Sequence, residues 1–321
     1  MDKSAAIAEY LARTGKLGSQ VRVDFLAAGE YNENYLVRTG RSDYVFRLNH
    51  GSQLGLSNQI EYEFAVLEAA APSGVTPRPL FCDPRPEGLP SGVLVMEYLP
   101  GGPLDYRRDL EKAARVLARV HALAPPAGLL VQPDPIRDIA AESLGLLSRH
   151  PDHPRPDLRE RLEAYHRKIM DLSREHGPSF AAEPRVLVNT EVNSGNFLVD
   201  GDHAYLVDWE KAVVSSRFQD LGHFLVATTT RWKTDVTLTR EEKRRFLASY
   251  RAEGLALGGA PPDLDELEVK TSLLERTILL RALSWCFMAY HEYTRTDRPL
   301  KNRDAFLKIK QYLAESECFL K

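Results

Sequence analysis

Cysteine, basic charge and long apolar runs are all scarce in this sequence. The chain of 321 residues has three cysteines, and no two of them have the Cys-x-x-Cys spacing of a zinc or redox site. A sparse, odd number of cysteines is typical of proteins from a reducing compartment. We therefore expect Cys82, Cys286 and Cys318 to be buried, inert thiols.

The charge balance and the apolar pattern exclude further classes of protein. The formal net charge is −3 and the isoelectric point is near 6.3, whereas nucleic-acid-binding domains usually carry a basic surface. No stretch approaches the ~18 uncharged apolar residues of a membrane span. Residues 1–14 contain charged side chains throughout and lack the apolar core of a signal peptide. We expect a cytoplasmic protein that binds neither nucleic acid nor membranes, and the sequence does not indicate its oligomeric state.

Strand-like segments dominate the first third of the chain. Residues 21–27, 34–38 and 44–48 are rich in Val, Leu, Tyr and Phe, and turn residues separate them. Two further strands are predicted near Leu80 and over 93–97, on either side of a Pro- and Gly-rich loop. Their short spacing predicts a five-stranded antiparallel sheet.

Helical periodicity takes over after a sharp break at 100–103, which reads Pro-Gly-Gly-Pro. Two helices are predicted before the break, at about 4–13 and at 59–71, and others at 110–123, 158–175 and 264–293. Strands followed by helices indicate an α+β fold rather than a doubly wound sheet.

Polar residues stand at the ends of three short strand-like runs within 185–210, at 186–188, 196–199 and 204–207. The polar residues are Asn189, Glu191, Asn193, Asn196, Asp208 and Glu210. An apolar strand that delivers a carboxylate into a loop holds a metal ion or a catalytic base rigidly. The segment is therefore the strongest candidate for a site of chemistry.

The spacing in this segment resembles the catalytic loop of protein-kinase-like enzymes: an acid, four residues, an Asn, a hairpin and then an Asp. Glu191, Asn196 and Asp208 fit that pattern. Phosphoryl transfer needs Mg²⁺ to neutralise phosphate charge, and Mg²⁺ prefers hard oxygen ligands, which Asn196 and Asp208 would supply. The carboxylate of Glu191 would orient the acceptor hydroxyl and receive its proton.

Five segments in order make the resemblance more specific. They are YVFRL at 44–48, YEFAVLEAA at 62–70, VLVMEYLPGGPL at 93–104, LARVHAL at 117–123 and LVDWEKAVVSSRFQDLGHF at 206–224. Over most of its length the chain resembles the aminoglycoside phosphotransferase and choline kinase superfamily. The resemblance implies a two-lobed, protein-kinase-like fold. A small antiparallel-sheet lobe would occupy 1–98, and a larger, mainly helical lobe 99–321.

The resemblance also implies ATP and Mg²⁺ as cofactors and assigns residues to the nucleotide. Arg47 corresponds to the cation that pairs with the phosphates, and Glu63 to its partner on the following helix, where Glu61 and Glu68 stand nearby as alternatives. Glu97, Tyr98 and Leu99 correspond to the hinge, whose backbone hydrogen-bonds adenine. In the helical lobe, Asp220 corresponds to a buried Asp that braces the segment carrying Asp208.

The sequence departs from the family pattern at several points. The usual His-Gly-Asp is Asn189-Thr190-Glu191 here, the usual lysine is Arg47, and the loop 27–34 contains a single glycine. An arginine can grip phosphate oxygens bidentately. A small backbone shift in the loop would accommodate the extra methylene of Glu191.

The sequence thus predicts an ATP- and Mg²⁺-dependent phosphotransferase acting on a hydroxyl of a small metabolite or an aminoglycoside-like antibiotic. One alternative is a pseudokinase, a nucleotide-binding regulatory or scaffold protein with little catalysis. A protein kinase is a further alternative, but no Ala-Pro-Glu segment follows Asp208. The helices after Asp220 would build the acceptor pocket, and the stripe of Trp285 and Met288 is expected to pack in the core.

Overall fold

A five-stranded sheet and a helical body make up the part of the chain that the computed structural model describes, residues 3–18, 20–29, 31–295 and 303–320. Within these ranges, no helix combines the length and apolar character needed to cross a membrane.

The sheet is antiparallel throughout, with the strand order β1-β2-β3-β5-β4. Its strands are β1 (Arg22–Ala28), β2 (Asn32–Arg38), β3 (Asp43–Asn49), β4 (Pro79–Asp83) and β5 (Gly92–Glu97). The predicted five-stranded sheet is confirmed. The β-type segments of the sequence were recognisable because they are short, rich in branched and aromatic residues, and bounded by turns.

Both faces of the sheet are covered at β5, which explains the unbroken apolar run of that strand. Val93 and Val95 pack under the first helix, α1 (Lys3–Thr14). Leu94 and Met96 point to the other face and join the cluster of α2 (Gln59–Ala70). Successive strand side chains alternate between faces, so a strand with two covered faces is apolar at every position.

The helical body is built around one long helix. The helices after the sheet are α3 (Leu110–His121), α4 (Pro135–Ser148), α5 (Pro156–Ala181), α6 (Phe218–Leu225), α7 (Ala227–Lys233), α8 (Arg240–Ala256), α9 (Leu264–Thr294), α10 (Arg303–Ala314) and α11 (Ser316–Phe319). The helix α9 packs against α4, α5, α6, α8 and α10 and carries many of the buried apolar residues. Helices at α1, α2, α3, α5 and α9 were predicted, whereas α4, α6, α7, α8, α10 and α11 were not.

Short strands frame the segment 185–216. They are β6 (Gly102–Pro103), β7 (Arg185–Val188), β8 (Phe197–Asp200), β9 (His203–Leu206) and β10 (Val213–Ser216). The strands β8 and β9 form the predicted hairpin, and β6 pairs with β8. The partner of β7 is β10, which the sequence interpretation missed because it ended the segment at residue 210.

The cysteines differ in their exposure. Cys286 is buried and Cys82 is half-buried, but Cys318 is exposed. The expectation that all three are buried is therefore wrong for Cys318. It lies on the short terminal helix α11, where Ser316 is the buried residue.

Candidate active site

A buried ion pair joins the sheet to α2. Arg47 on β3 contacts Glu63 on α2 through its Nη1 atom, and the two residues are 6% and 1% exposed. The Nε atom of Arg47 donates to Asn34 Oδ1 at 3.0 Å. Burial raises the pKa of Glu63, and the Arg47 guanidinium opposes that rise. The structure thus pairs Arg47 with Glu63 rather than with the neighbouring Glu61 or Glu68.

The loop after β7 is held by a buried carboxylate. Asp220 on α6 is fully buried and accepts hydrogen bonds from the backbone N–H groups of Asn189 and Thr190, both at 2.8 Å. His121 lies 3.3 Å from the same carboxylate. The expectation that Asp220 braces the segment of Asp208 needs correction. The connection runs through Asn189, whose Nδ2 donates to the Asp208 carbonyl at 2.8 Å.

Two residues of this site have a left-handed backbone. Thr190 has φ of 69° and Asp208 has φ of 63°, and they are the non-glycine residues with positive φ in the described ranges. Such a conformation costs ~1–3 kcal/mol and persists where the surroundings enforce it, most often at functional sites. The motif that this chain resembles has glycine at position 190, and glycine adopts this conformation without strain.

Three carboxylates converge beside the Arg47–Glu63 pair. Oxygen atoms of Glu191, Asp208 and Glu210 all lie within 4.8 Å of one another, and Asp208 Oδ1 is 3.3 Å from Arg47 Nη1. Burial and the neighbouring Asp208 raise the pKa of Glu210 to about 8. Burial also raises the pKa of Glu191. Mutual repulsion in such a cluster is relieved by a divalent cation, and carboxylate oxygens are the ligands that Mg²⁺ prefers.

Asn196 lies next to this cluster. Its side-chain Nδ2 atom donates to the backbone carbonyl of Glu191 at 2.8 Å. The backbone carbonyl of Asn196 accepts from the Val207 N–H, also at 2.8 Å. No hydrogen bond to its Oδ1 atom is found in the described part of the chain. The amide oxygen is therefore left available as a ligand, while the rest of the side chain is fixed.

Sequence reasoning noted Glu210 as a polar residue but gave it no role. Its carboxylate accepts hydrogen bonds from Asn32 of β2 and from Gln53 Nε2, the latter at 2.9 Å. Gln59 Nε2 donates to the Glu210 carbonyl at 2.8 Å. Glu210 is thus both a member of the carboxylate cluster and a tie to the sheet. The available signal was a second acid two positions after Asp208.

The predicted hinge residues lie apart from this cluster. Glu97 ends β5, and the N–H groups of Glu97 and Tyr98 donate to neighbouring backbone carbonyls at 2.8 and 3.3 Å. The Leu99 N–H has no hydrogen-bond partner within the described ranges. Glu97 pairs with Tyr44 at one end of β3, whereas Arg47 lies nearer the other end. The predicted hinge and the predicted phosphate contact thus lie at different positions along the paired strands β3 and β5.

Comparison with known proteins identifies the family. The sequence profile of the phosphotransferase enzyme family matches residues 22–269, which is most of the chain. This chain belongs to the phosphotransferase enzyme family. A search of curated proteins finds no match to it.

Solved structures of other phosphotransferases share the fold of this family member. A choline/ethanolamine kinase family protein from Mesorhizobium loti has a TM-score of 0.64 at 18% identity and covers 100% of this chain and 95% of its own. An ethanolamine kinase from Plasmodium vivax has a TM-score of 0.66 at 13% identity, and the match covers 99% of this chain and 89% of the kinase. A spectinomycin phosphotransferase has a TM-score of 0.58 at 16% identity, and the match covers 96% of this chain and 93% of that enzyme. The predicted superfamily and the α+β, two-lobed, protein-kinase-like fold are confirmed.

A cavity of about 330 Å³ opens beside Glu191 in this phosphotransferase family member. Its walls come from α4, α6, α7, α9 and α10, from the loops after β7 and β9, and from the segment between β3 and α2. The side chains that give the cavity its chemical character are Glu142, Glu191, Lys211, Trp232, Arg281 and Trp285. Met288 is buried as expected, but Trp285 both packs on the core and faces this cavity, so the expectation of core packing holds for Trp285 only in part.

Proposed function

We propose that this protein transfers a phosphoryl group from ATP to a hydroxyl of a small molecule, such as a metabolite or an aminoglycoside-like antibiotic, in a Mg²⁺-dependent reaction. The observation that carries the proposal is the convergence of Glu191, Asp208 and Glu210 beside the buried Arg47–Glu63 pair. Structural neighbours support nucleotide use: the spectinomycin phosphotransferase was solved with ADP, and another neighbour with streptomycin and ATP.

The nucleotide would lie between the two lobes, which we place at 1–98 and 99–321. Arg47 would contact the phosphates, with Glu63 fixing the guanidinium. The backbone of 97–99 would hydrogen-bond adenine, and the unpaired N–H of Leu99 is a suitable donor. The sheet register supports this assignment: Glu97 at the end of β5 lies opposite Tyr44 of β3, and Arg47 lies further along β3.

The residues present fit a magnesium ion. Asp208, Glu210 and Asn196 would hold it, through two carboxylates and the free amide oxygen of Asn196. When bound, Mg²⁺ neutralises phosphate charge during transfer. The left-handed backbone of Asp208 and its hydrogen bond from Asn189 fix the orientation of that carboxylate.

Glu191 would act as the general base. Burial raises the pKa of Glu191 toward neutral pH. A general base works best when its pKa is near the pH of the reaction, because it is then ionised and still accepts a proton readily. The acceptor oxygen would bond to the γ-phosphorus of ATP as the bond to the bridging oxygen breaks. ADP leaves with that electron pair, and the hydroxyl proton passes to Glu191. Asp220 supports the base indirectly, by holding the backbone of the two preceding residues.

Binding of ATP with and without Mg²⁺ tests the proposal, together with ATP turnover across a panel of hydroxylated metabolites and aminoglycosides. Asp208→Asn is the informative variant, because asparagine tolerates a left-handed backbone better than alanine does. We expect it to abolish the Mg²⁺-dependent part of ATP binding and all turnover. Asp202→Asn, the same change on an exposed hairpin turn, is the control.

The outcomes separate the proposal from its alternatives. Mg²⁺-dependent ATP binding without turnover of any acceptor would favour the pseudokinase, and phosphorylation of protein substrates would favour a protein kinase. Equal ATP binding by wild type and Asp208→Asn, with and without Mg²⁺, would contradict the proposed metal site.

A further inference from the structure

Two cationic side chains line the cavity beside Glu191, and each contacts its carboxylate neighbours at distances longer than a charge-assisted hydrogen bond. Lys211 Nζ is 3.4 Å from Glu191 Oε1 and 3.9 Å from Glu142 Oε1. Arg281 Nη1 is 3.9 Å from Glu142 Oε2, and its Nη2 donates to the Thr190 carbonyl at 3.2 Å. Charge-assisted hydrogen bonds between ions are usually ~2.7–2.9 Å long. Both cations therefore have donor capacity to spare within the cavity.

These two cations are largely buried in the cavity wall, whereas the carboxylate that they share is exposed to solvent. The side chains of Lys211 and Arg281 are 14% and 10% exposed, but that of Glu142 is 40% exposed. A charge removed from water is stable only if another charge or hydrogen bond compensates it. Glu142 reaches both cations from a solvated position at a distance, so it compensates them weakly.

The remaining polar groups do not supply the missing negative charge. The ring of His223 lies 3.3 Å from Arg281 Nη2, and burial together with the nearby cations holds the pKa of His223 well below its usual range. Its imidazole is therefore neutral. Glu191 is engaged by the acceptor hydroxyl in the proposed reaction, which leaves Glu142 as the other carboxylate among the residues described around the cavity.

Other residues that line the cavity are apolar or aromatic. The rings of Trp232 and Trp285 meet edge to face with centroids 5.7 Å apart, and Ile278 lies beside them on α9. Indole and aliphatic surfaces of this kind stabilise an apolar or aromatic ligand body by removing it from water.

We propose that the acceptor is an anionic hydroxy compound with an apolar or aromatic body, an inference that rests on the proposed phosphotransferase function. Its oxyanion binds Lys211 and Arg281 in the region that Glu142 now reaches, its body lies on Trp232 and Trp285, and its hydroxyl faces Glu191. A polycationic aminoglycoside or a quaternary ammonium alcohol meets two like charges at the same place and is disfavoured.

A series of four compounds tests the charge preference without needing turnover. All share a hydroxymethyl-phenyl body, and the para group is a carboxylate, a phosphonate, a neutral carboxamide or an aminomethyl group. Tryptophan fluorescence reports binding, because two of the three tryptophans in the chain line the cavity and the third, Trp209, is fully buried. We expect both anions to bind at least about tenfold more tightly than the amide, a difference of ~1.4 kcal/mol, and the amine to bind most weakly.

Variants of Lys211 locate the effect in the cavity. Lys211→Gln should lower the affinity for the anions toward that of the amide and leave the amide unchanged. Lys211→Glu should shift the preference toward the amine. Lys168→Gln, the same substitution at an exposed position on α5, is the control and should change nothing. Thermal unfolding checks that each variant is folded.

The outcomes also distinguish this proposal from the proposed function. Anion-selective binding without ATP turnover would sustain the charge preference and contradict the phosphotransferase. Turnover of the amine in preference to the anions would support the phosphotransferase and contradict the charge preference. Equal binding of all four compounds, no detectable binding of either anion, or an anion preference that survives Lys211→Glu would overturn the charge preference.

Discussion

The guanidinium of Arg47 lies between two carboxylates from different parts of the chain. Its Nη1 atom contacts Glu63 on α2 and is 3.3 Å from Oδ1 of Asp208, in the segment after β9. One side chain of the sheet thus touches both a helix of its own lobe and the candidate metal site. The arrangement ties the predicted phosphate contact to the stability of the sheet lobe.

Replacing Arg47 should therefore have two separable effects. Arg47→Ala leaves the buried carboxylate of Glu63 unpaired, and we expect a loss of ~3–5 kcal/mol in the free energy of unfolding. ATP binding should weaken by ~1.5–3 kcal/mol, the range for hydrogen bonds to charged groups, while adenosine binding changes far less. The double variant Arg47→Met/Glu63→Gln should recover stability without recovering ATP affinity. Urea unfolding and calorimetric titration measure these effects, and equal losses for ATP and adenosine would exclude the phosphate contact.

Glu191 offers the sharpest test of catalysis. Glu191→Gln removes the basicity and keeps the size, so turnover should fall by roughly 10²–10⁴-fold while ATP affinity is spared. Glu191→Asp restores the usual residue of the family but withdraws the carboxylate from its position 3.4 Å from Lys211. We expect a lower rate for this variant too, measured in steady state with the true acceptor. A higher rate for Glu191→Asp would show that Glu191 is an impaired base. No change in either variant would show that Glu191 is not catalytic and would favour a nucleotide-binding scaffold.

His153 should make the fold sensitive to acid. Its Nε2 lies 2.9 Å from the Phe287 carbonyl, its Nδ1 accepts from Arg155 N–H at 3.1 Å, and burial lowers its pKa to about 4. Protonating Nδ1 would place a hydrogen against the Arg155 N–H. The pKa of His153 in the folded state is below the unfolded value of ~6.5. The stability that the neutral ring of His153 contributes is therefore complete above about pH 6.5 and declines from there toward pH 4.

Urea unfolding at several pH values measures this decline. His153→Gln provides both a donor and an acceptor but does not titrate, so its stability should fall less between pH 6.5 and pH 4. Parallel pH profiles for the two proteins would contradict the assignment.

Close packing of α6 on α9 gives a prediction about stability. A Cβ atom at Gly222 would lie 2.7 Å from Leu274 Cβ and 3.0 Å from the backbone N of Glu275. Gly222→Ala should therefore cost ~1–3 kcal/mol through overpacking. Turnover should fall as well, because α6 carries Asp220. Gly145→Ala is the control: nothing lies within 4 Å of its added Cβ in α4, and helix propensity should stabilise the variant by up to ~1 kcal/mol. Thermal unfolding compares them, and an unaffected Gly222→Ala would show that α6 shifts freely.

The elements that sequence reasoning located were those with strong local signals. The five strands of the sheet and the helix α9 were predictable from branched residues, turn residues and helical spacing. The helices α6 and α7 were missed because they are short and meet without a glycine or proline between them. The strand β10 was missed because the sequence interpretation ended the segment at residue 210, before this strand begins at Val213.

The sequence by itself determined the order of the elements and the chemical type of the residues in the candidate site. Glu191, Asn196 and Asp208 were recognisable because their spacing within one short segment is a local property. The choice of Glu63 over two neighbouring acids depended on which face of α2 packs on the sheet, and only the tertiary structure decided it. The acceptor cavity also required the tertiary structure. Its walls come from helices far apart in the chain, and long-range packing around α9, which no local periodicity reports, brings their side chains together.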